Sequence, residues 1–313
     1  KRLRADDPDG WLDSSQVQQH VTMSDSRGGV YSPHCARIHP TKLVRGLASA
    51  VESRGVRIFE GTTALGLHPA RGSHRARVVT SHGTVRAAYV IRATEGYTPK
   101  LPGAGRDVAP LYSLMIATEP LPASFFDDVG LANFETFADG RHLVIYGQRT
   151  ADNRLAFGGR GAPYHWGSSV RPEYDHVASV FTALESTLRE LFPAFTQSVT
   201  HRWGGPLAMA RENRPYAAVD HQRGLAMAGG YTGDGVVLSR VCGDALAQSI
   251  VGGPDLDPRE LPLIARPLTR RWEFEPWRWL GINAGLALAR AADRGESTGR
   301  ESRAAHWLDR LLG

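Results

Sequence analysis

The sequence predicts an α/β domain interrupted by an inserted α+β unit, an antiparallel sheet with one helix. Three observations lead there. Residues 40–59 read as helix, glycine, strand, which is half of a parallel α/β unit. Residues 224–250 read as strand, glycine loop, helix. Between them, from about Leu101, short β-like runs separated by turn residues replace that alternation.

The elements follow in order. Residues 1–10 are polar and turn-like, and the chain reads as entering a fold already under way. Trp11 to Val21 suggests a short helix. Pro40 suits the first turn of a helix, where its missing N–H costs nothing. Leu43, Val44, Leu47, Ala48 and Val51 predict the buried face of that helix, Gly55 its end, and residues 56–59 a strand. Residues 75–80 and 84–91 flank Ser81, His82 and Gly83 as a hairpin. A strand at 89–91 runs into a small-residue loop at 93–99. Then come β-like runs at 111–118, 133–137, 143–146 and 154–158. One helix interrupts them, its face marked by Val177, Val180, Phe181, Leu184, Leu188 and Leu191 and its end by Pro193. Residues 261–313 form a polar helical tail carrying Trp272, Trp277, Trp279 and Trp307.

Composition narrows the function. The chain has 313 residues, 42% apolar and 22% charged, an ordinary globular balance. Its 37 basic and 32 acidic residues are dispersed, with no basic block interleaved with aromatics, which argues against nucleic acid as a partner. No apolar run approaches the roughly 20 residues of a membrane span, and no signal peptide pattern is present. Cys35 and Cys242 sit in apolar patterns and read as buried core thiols of a reducing compartment, hence a cytoplasmic protein. Neither has metal-ligand spacing.

The chemistry concentrates at residues 224–250. After a short apolar strand, Gly229, Gly230, Gly233 and Gly235 fall within seven residues. Val237, Leu238, Val241, Ala245, Leu246 and Ile250 then mark one helix face, closed by Gly252, Gly253 and Pro254. Such a turn aims unpaired N–H groups and a positive helix end at an anionic or electron-rich ligand. A tight strand-to-helix turn with no ligand remains the alternative from these residues alone.

The sequence resembles the D-amino-acid-oxidase-like FAD-dependent amine oxidoreductases. Residues 28–33 and 36–47 match the family segment ahead of a Gly-Val-x-Ile-x-Glu strand, here residues 55–60. Residues 90–98 match its strand and Ala-Thr-Gly loop, with Glu95 inserted after Thr94. Residues 213–215 and 224–250 match the C-terminal flavin segment. Residues 203–207, Trp-Gly-Gly-Pro-Leu, and 272–280, Trp-Glu-x-Glu-Pro-x-Arg-Trp-Leu, look most like the γ-glutamylputrescine-oxidase-like branch. Two features depart from the family. The strand–G-x-G-x-x-G–helix that holds the FAD pyrophosphate is absent at the start, as expected of a fragment beginning after the first Rossmann unit. Asp234 stands where many relatives carry His.

The resemblance implies an incomplete FAD-binding Rossmann-like domain in two parts, residues 1–100 and 204–260. A substrate domain at 101–203 lies between them, and a helical tail at 261–313 follows. It implies FAD as cofactor, with Gly230, Tyr231, Thr232, Gly233, Asp234, Gly235 and Val236 at the flavin, Ala64 at the adenine, and Ala93 and Thr94 near the phosphates and ribose. A strand-end turn at 62–65 is the equal alternative for Ala64. For substrate, Trp203 and Gly205 are pocket candidates and Arg214 a displaced carboxylate clamp, with Arg211 nearby. Trp203 also fits plain core. Pro206 fills the place where carboxylate-oxidising relatives put an Arg, which favours an amine without an α-carboxylate. His39, beside a helix start, reads as a capping or packing histidine rather than a catalytic one, and no catalytic acid or base stands out. The implied reaction takes a small primary or secondary amine to an imine, with O2 as acceptor or, alternatively, a quinone. A glycine- or sarcosine-type amino-acid oxidase is the second enzyme reading. A non-catalytic flavin-fold remnant or subunit is the reading from another class.

Overall fold

The structure, a computed structural model, describes residues 10–159, 161–252, 270–297 and 302–312. The expected helix at 11–21 is instead a strand and a single turn. β1 (Gly10–Asp13) pairs antiparallel with β2 (Gly28–Tyr31), and α1 (Ser14–Val17) lies between them. The reason is local. The Asp13 carboxylate accepts from the Ser15 and Gln16 N–H groups at 2.8 and 2.9 Å, so the helix cannot begin earlier. α2 (Pro40–Glu52) forms as predicted, with His39 as its cap: Nδ1 accepts from the Lys42 N–H at 3.4 Å. Its apolar stripe is not buried, however. Leu43, Val44, Leu47 and Val51 are all exposed, because no described element packs on them. Residues 56–59 form no strand, and no described segment pairs with them.

β3 (Ala64–His68), β4 (Ala76–Thr80) and β5 (Gly83–Ala87) make a three-stranded antiparallel sheet. The second arm of the expected hairpin is broken at Ala87, and β6 (Val90–Arg92) leaves for a different sheet. A 3-10 helix, Glu95–Lys100, leads into β7 (Val108–Thr118). α3 (Ala123–Val129), unanticipated, precedes β8 (Thr136–Ala138), β9 (Ile145–Arg149) and β10 (Leu155–Gly159). Two 3-10 turns, Trp166–Ser168 and Pro172–Asp175, then lead to α4 (Ala178–Leu191) and β11 (Val199–Ala210). β12 (Tyr216–Asp220), β13 (Leu225–Gly229) and α5 (Gly235–Gly252) follow, then α6 (Trp277–Ser297) and α7 (Arg303–Leu312). The predicted helix stop at Gly253 and Pro254 and the first residues of the tail lie outside the described residues.

The main sheet runs β11-β7-β10-β9-β8, antiparallel throughout. Side chains alternate across a strand. Tyr112, Leu114 and Ile116 of β7 therefore share a side with Leu155 and Phe157 of β10. That side packs on Phe125 and Phe126 of α3 and Phe181, Leu184 and Leu188 of α4. Val17 and Val21 join this core, so residues 10–21 pack with the inserted sheet rather than with α2. The second sheet, β12-β13-β6, joins β13 and β6 in parallel, with the whole main sheet between them in the chain. Ala217, Ala226, Ala228 and Tyr231 pack there on Cys242 and Leu246 of α5. Cys242 is buried as expected, whereas Cys35 is exposed, because residues 32–39 run as turn and coil with no inward face.

The tail is stitched across this frame. Trp272 donates from Nε1 to the Met209 carbonyl at 2.7 Å, Arg271 meets Asp107, and Glu273 pairs with Arg211. The Glu275 carboxylate accepts from the Tyr164 hydroxyl, the Gly167 and Trp279 N–H groups and the Arg278 guanidinium. Arg278, nearly fully buried, also donates to the Gly105 carbonyl. These bonds give Trp272–Leu280 a structural reason for its polar residues.

Candidate functional site

The glycine loop joins β13 to α5. Gly230 has φ 73°, Thr232 φ 58° and Gly233 φ 109°, all in the region that L side chains rarely adopt. Gly230 is also held by space. A Cβ there would lie 3.0 Å from the Tyr216 ring and 3.1 Å from the Ala210 Cβ. The Thr232 N–H donates to the Ala208 carbonyl and the Asp234 N–H to the Tyr231 carbonyl. Tyr231 is buried against Cys242, and burial pushes its hydroxyl pKa upward. Gly233, Asp234, Val236 and Val237 are exposed. The first-turn N–H groups of α5 have no intrahelical acceptor and carry its positive end. The loop thus presents donors to open space, with Asp234 exposed beside them.

Glu95 ties a second segment to this loop. Its carboxylate accepts from the Gly230 N–H at 2.9 Å and from the Tyr231 and Ala208 N–H groups at 3.3 Å each. Burial raises its pKa above 4.5, against the pull of those three donors. Ala93 is exposed, and the Thr94 hydroxyl bonds to that of Thr98 at 2.8 Å. The structure therefore brings residues 93–95 to residues 230–231. Ala64 opens β3, in a different sheet.

Trp203 and Gly205 lie on the side of the main sheet away from α3 and α4. Register places Trp203 opposite Met115 and Gly205 opposite Ser113, and sets Gly158 beside both Met115 and Tyr146. A Cβ at Gly158 would come within 2.7 Å of Met115 and 2.8 Å of Tyr146, so those side chains close over it. The Ser113 and Tyr146 hydroxyls are hydrogen-bonded. Trp203 is 38% exposed, and a Cβ at Gly205 would meet nothing within 4 Å. Arg214 is exposed in the turn after β11, beyond some 23 Å of strand from Trp203 at about 3.3 Å per residue. Arg211 is taken by Glu273 at 3.0 Å. Ser113, Met115 and Tyr146 escaped sequence reading. Their only signal is period two within strands, and it assigns no partner across strands.

His142, Asp293 and Glu296 place ligand-type atoms within 4.8 Å of one another. Their bonds are those of a tether: the Asp293 oxygens accept from the His142 and Leu143 N–H groups, and the His142 Nε2 meets Glu296.

The first-turn donors of α5 and the loop glycines have the chemistry to suit the ring end of a flavin, whose reduced form holds negative charge. No strand–G-x-G-x-x-G–helix occurs among the described residues, so this fit covers the ring end and not the pyrophosphate. The fold is that of the FAD-binding oxidoreductase class. The chain belongs to the DAO family, FAD dependent oxidoreductase, whose profile matches residues 1–249. It is 30% identical over 246 residues to a probable oxidoreductase, OrdL, of Haemophilus influenzae, covering 77% of this chain and 53% of that one. It is 26% identical over 244 residues to γ-glutamylputrescine oxidoreductase of Escherichia coli, covering 77% and 54%. It thus spans about half the length of these curated relatives. Among solved structures, glycine oxidase from Geobacillus kaustophilus aligns with TM-score 0.66 at 20% identity, covering 82% of this chain and 67% of that one, a likeness of fold. Among the described residues, no helix is long and apolar enough to cross a membrane.

Proposed function

We propose that the chain is part of an FAD-dependent enzyme that oxidises the C–N bond of a small primary or secondary amine to an imine, which water hydrolyses to a carbonyl compound and ammonia or an amine. FAD, when bound, would supply the acceptor for the hydride, which carries both electrons of the oxidation. O2 then takes two electrons and two protons to give hydrogen peroxide. The observation that carries the reading is the α5 loop, whose donors open outward while its base is anchored on the edge of β11. The first-turn N–H groups of α5 supply positive partial charge where negative charge builds up. Trp203, Met115 and Tyr146 offer an apolar face that excludes water and holds an amine carbon chain. Pro206 supplies no charge for an α-carboxylate, and Arg211 is already paired. We take 1–100 and 204–260 as the two FAD-binding parts around a substrate domain at 101–203, with β11 running through the second join. The two unpaired cysteines suit the cytoplasm.

The amino-acid reading survives on one observation, the exposed Arg214. Anaerobic titration of the FAD-loaded protein at its natural length separates them. Flavin bleaching by polyamines and simple amines, with peroxide formed on readmitting air, is expected. Bleaching by glycine and sarcosine alone would replace the amine with an amino acid. Reoxidation by a quinone but not by air would replace the acceptor. A protein that takes up no FAD would leave the non-catalytic subunit.

A further inference from the structure

We propose that Glu95 is a positioning residue: its carboxylate locks the glycine loop to the edge of the main sheet and so fixes where the first turn of α5 points. The inference rests on the flavin reading for its consequence, but its geometry stands alone. Three donors from two separate segments converge on one side chain: Gly230 and Tyr231 from the loop, and Ala208 from β11. Among the described residues β11 pairs with β7 alone and so forms a sheet edge, and an edge leaves N–H and C=O groups without a ladder. At Ala208 both are answered from the same side, the N–H by Glu95 and the carbonyl by the Thr232 N–H. The carboxylate therefore acts as a short piece of the missing neighbouring strand.

Glu95 itself is held at φ 39°, a conformation that a non-glycine residue keeps only where its surroundings over-determine it. Gly96, next in the chain, has no room for a Cβ against the Pro206 carbonyl, which pins the 3-10 helix to the same strand. The loop end near Glu95 is thus fixed by side chain and packing, while Gly233, Asp234, Val236 and Val237 are exposed. A rigid base with an open tip is the arrangement that pre-organises backbone donors for a ligand.

The test uses the FAD-loaded protein at its natural length, with hydrogen exchange and FAD affinity as readouts. Glu95→Ala should speed exchange at the Gly230 and Tyr231 amides by about tenfold or more, the size of one lost charge-assisted hydrogen bond. Exchange along β7 and β10 should not change. FAD affinity should fall by a similar factor. Glu95→Gln keeps one acceptor oxygen where the wild type uses two, so it should reverse only part of both effects. If Glu95→Ala does not fold, Glu95→Asp, which draws the carboxylate back by one methylene, should still accelerate those two amides. Unchanged exchange at Gly230 and Tyr231 in a folded variant would overturn the lock. A wild type that binds no FAD but still shows the exchange effect would keep the lock and remove the flavin from its purpose.

Discussion

α2 and α4 carry the same kind of message and meet different fates. They have 13 and 14 residues, and both place aliphatic or aromatic side chains every three or four positions. In α4 that stripe is core: Phe181, Leu184 and Leu188 lie against the main sheet. In α2 it faces outward, with Val44 65% exposed. Periodicity reports which side of a helix is apolar. It does not report whether anything covers that side, since coverage depends on partners distant in sequence. The main sheet supplies them for α4 because neighbouring strands β7 and β10 offer an unbroken apolar side. No described element does so for α2.

The sharpest way to break this contrast is Leu188→Ala. Leu188 has 0% exposure beneath β7 and β10. Its loss removes the transfer energy of the side chain and leaves a cavity, a destabilisation of about 4 kcal/mol. Chemical denaturation measures it directly. A change under about 1 kcal/mol would mean that the α4 face is as loosely covered as that of α2.

A smaller effect is expected at Glu275, where polar bonds rather than apolar area join the tail to the frame. Burial opposes its charge, but the Gly167 and Trp279 N–H groups, the Tyr164 hydroxyl and the Arg278 guanidinium outweigh that and hold its pKa below 4.5. Glu275→Ala should cost about 2–3 kcal/mol, because Arg278 then stays buried without its carboxylate. A group with a lowered folded pKa stabilises above its unfolded value and loses that stabilisation as pH falls through the folded one. Wild type should therefore lose its advantage over Glu275→Gln as pH drops below 4.5. Thermal melts of the two proteins that stayed parallel across that range would remove Glu275 as the hub of the strap.

How much could be read in advance follows the same division. The helix from Pro40, its His39 cap, the strand and loop at 90–96, α4, and the glycine turn into α5 were all legible, since each rests on local spacing or on a residue with one strong preference. The interaction of Glu95 was not: an acidic residue beside Gly96 gives no hint that its three donors lie more than a hundred residues further on. The companions of Trp203 were hidden for the same reason, because register between β11, β7, β10 and β9 decides that Met115 and Tyr146 share its side. The strand expected at 56–59 shows the reverse error. Val56, Ile58 and Phe59 have the composition of a strand, but a strand is a relation between two segments, and no described segment pairs with it.

The smallest expected effect is the most searching for the comparison. Val44→Ser in this chain should change folding stability by less than about 0.5 kcal/mol, the range of surface substitutions. The reasoning is direct. Val44 is exposed, so little apolar area returns to water, and the remaining cost is the weak difference in helix propensity between two middling residues. Leu188 has a comparable place in its own helix pattern, yet its loss is expected to cost several times more. The ratio of the two effects, measured by the same denaturation, is thus a reading of coverage alone. A Val44→Ser loss above about 2 kcal/mol would show that the α2 stripe is covered in solution. If that loss grew with protein concentration, the cover would be a second copy of the chain, since association stabilises by mass action.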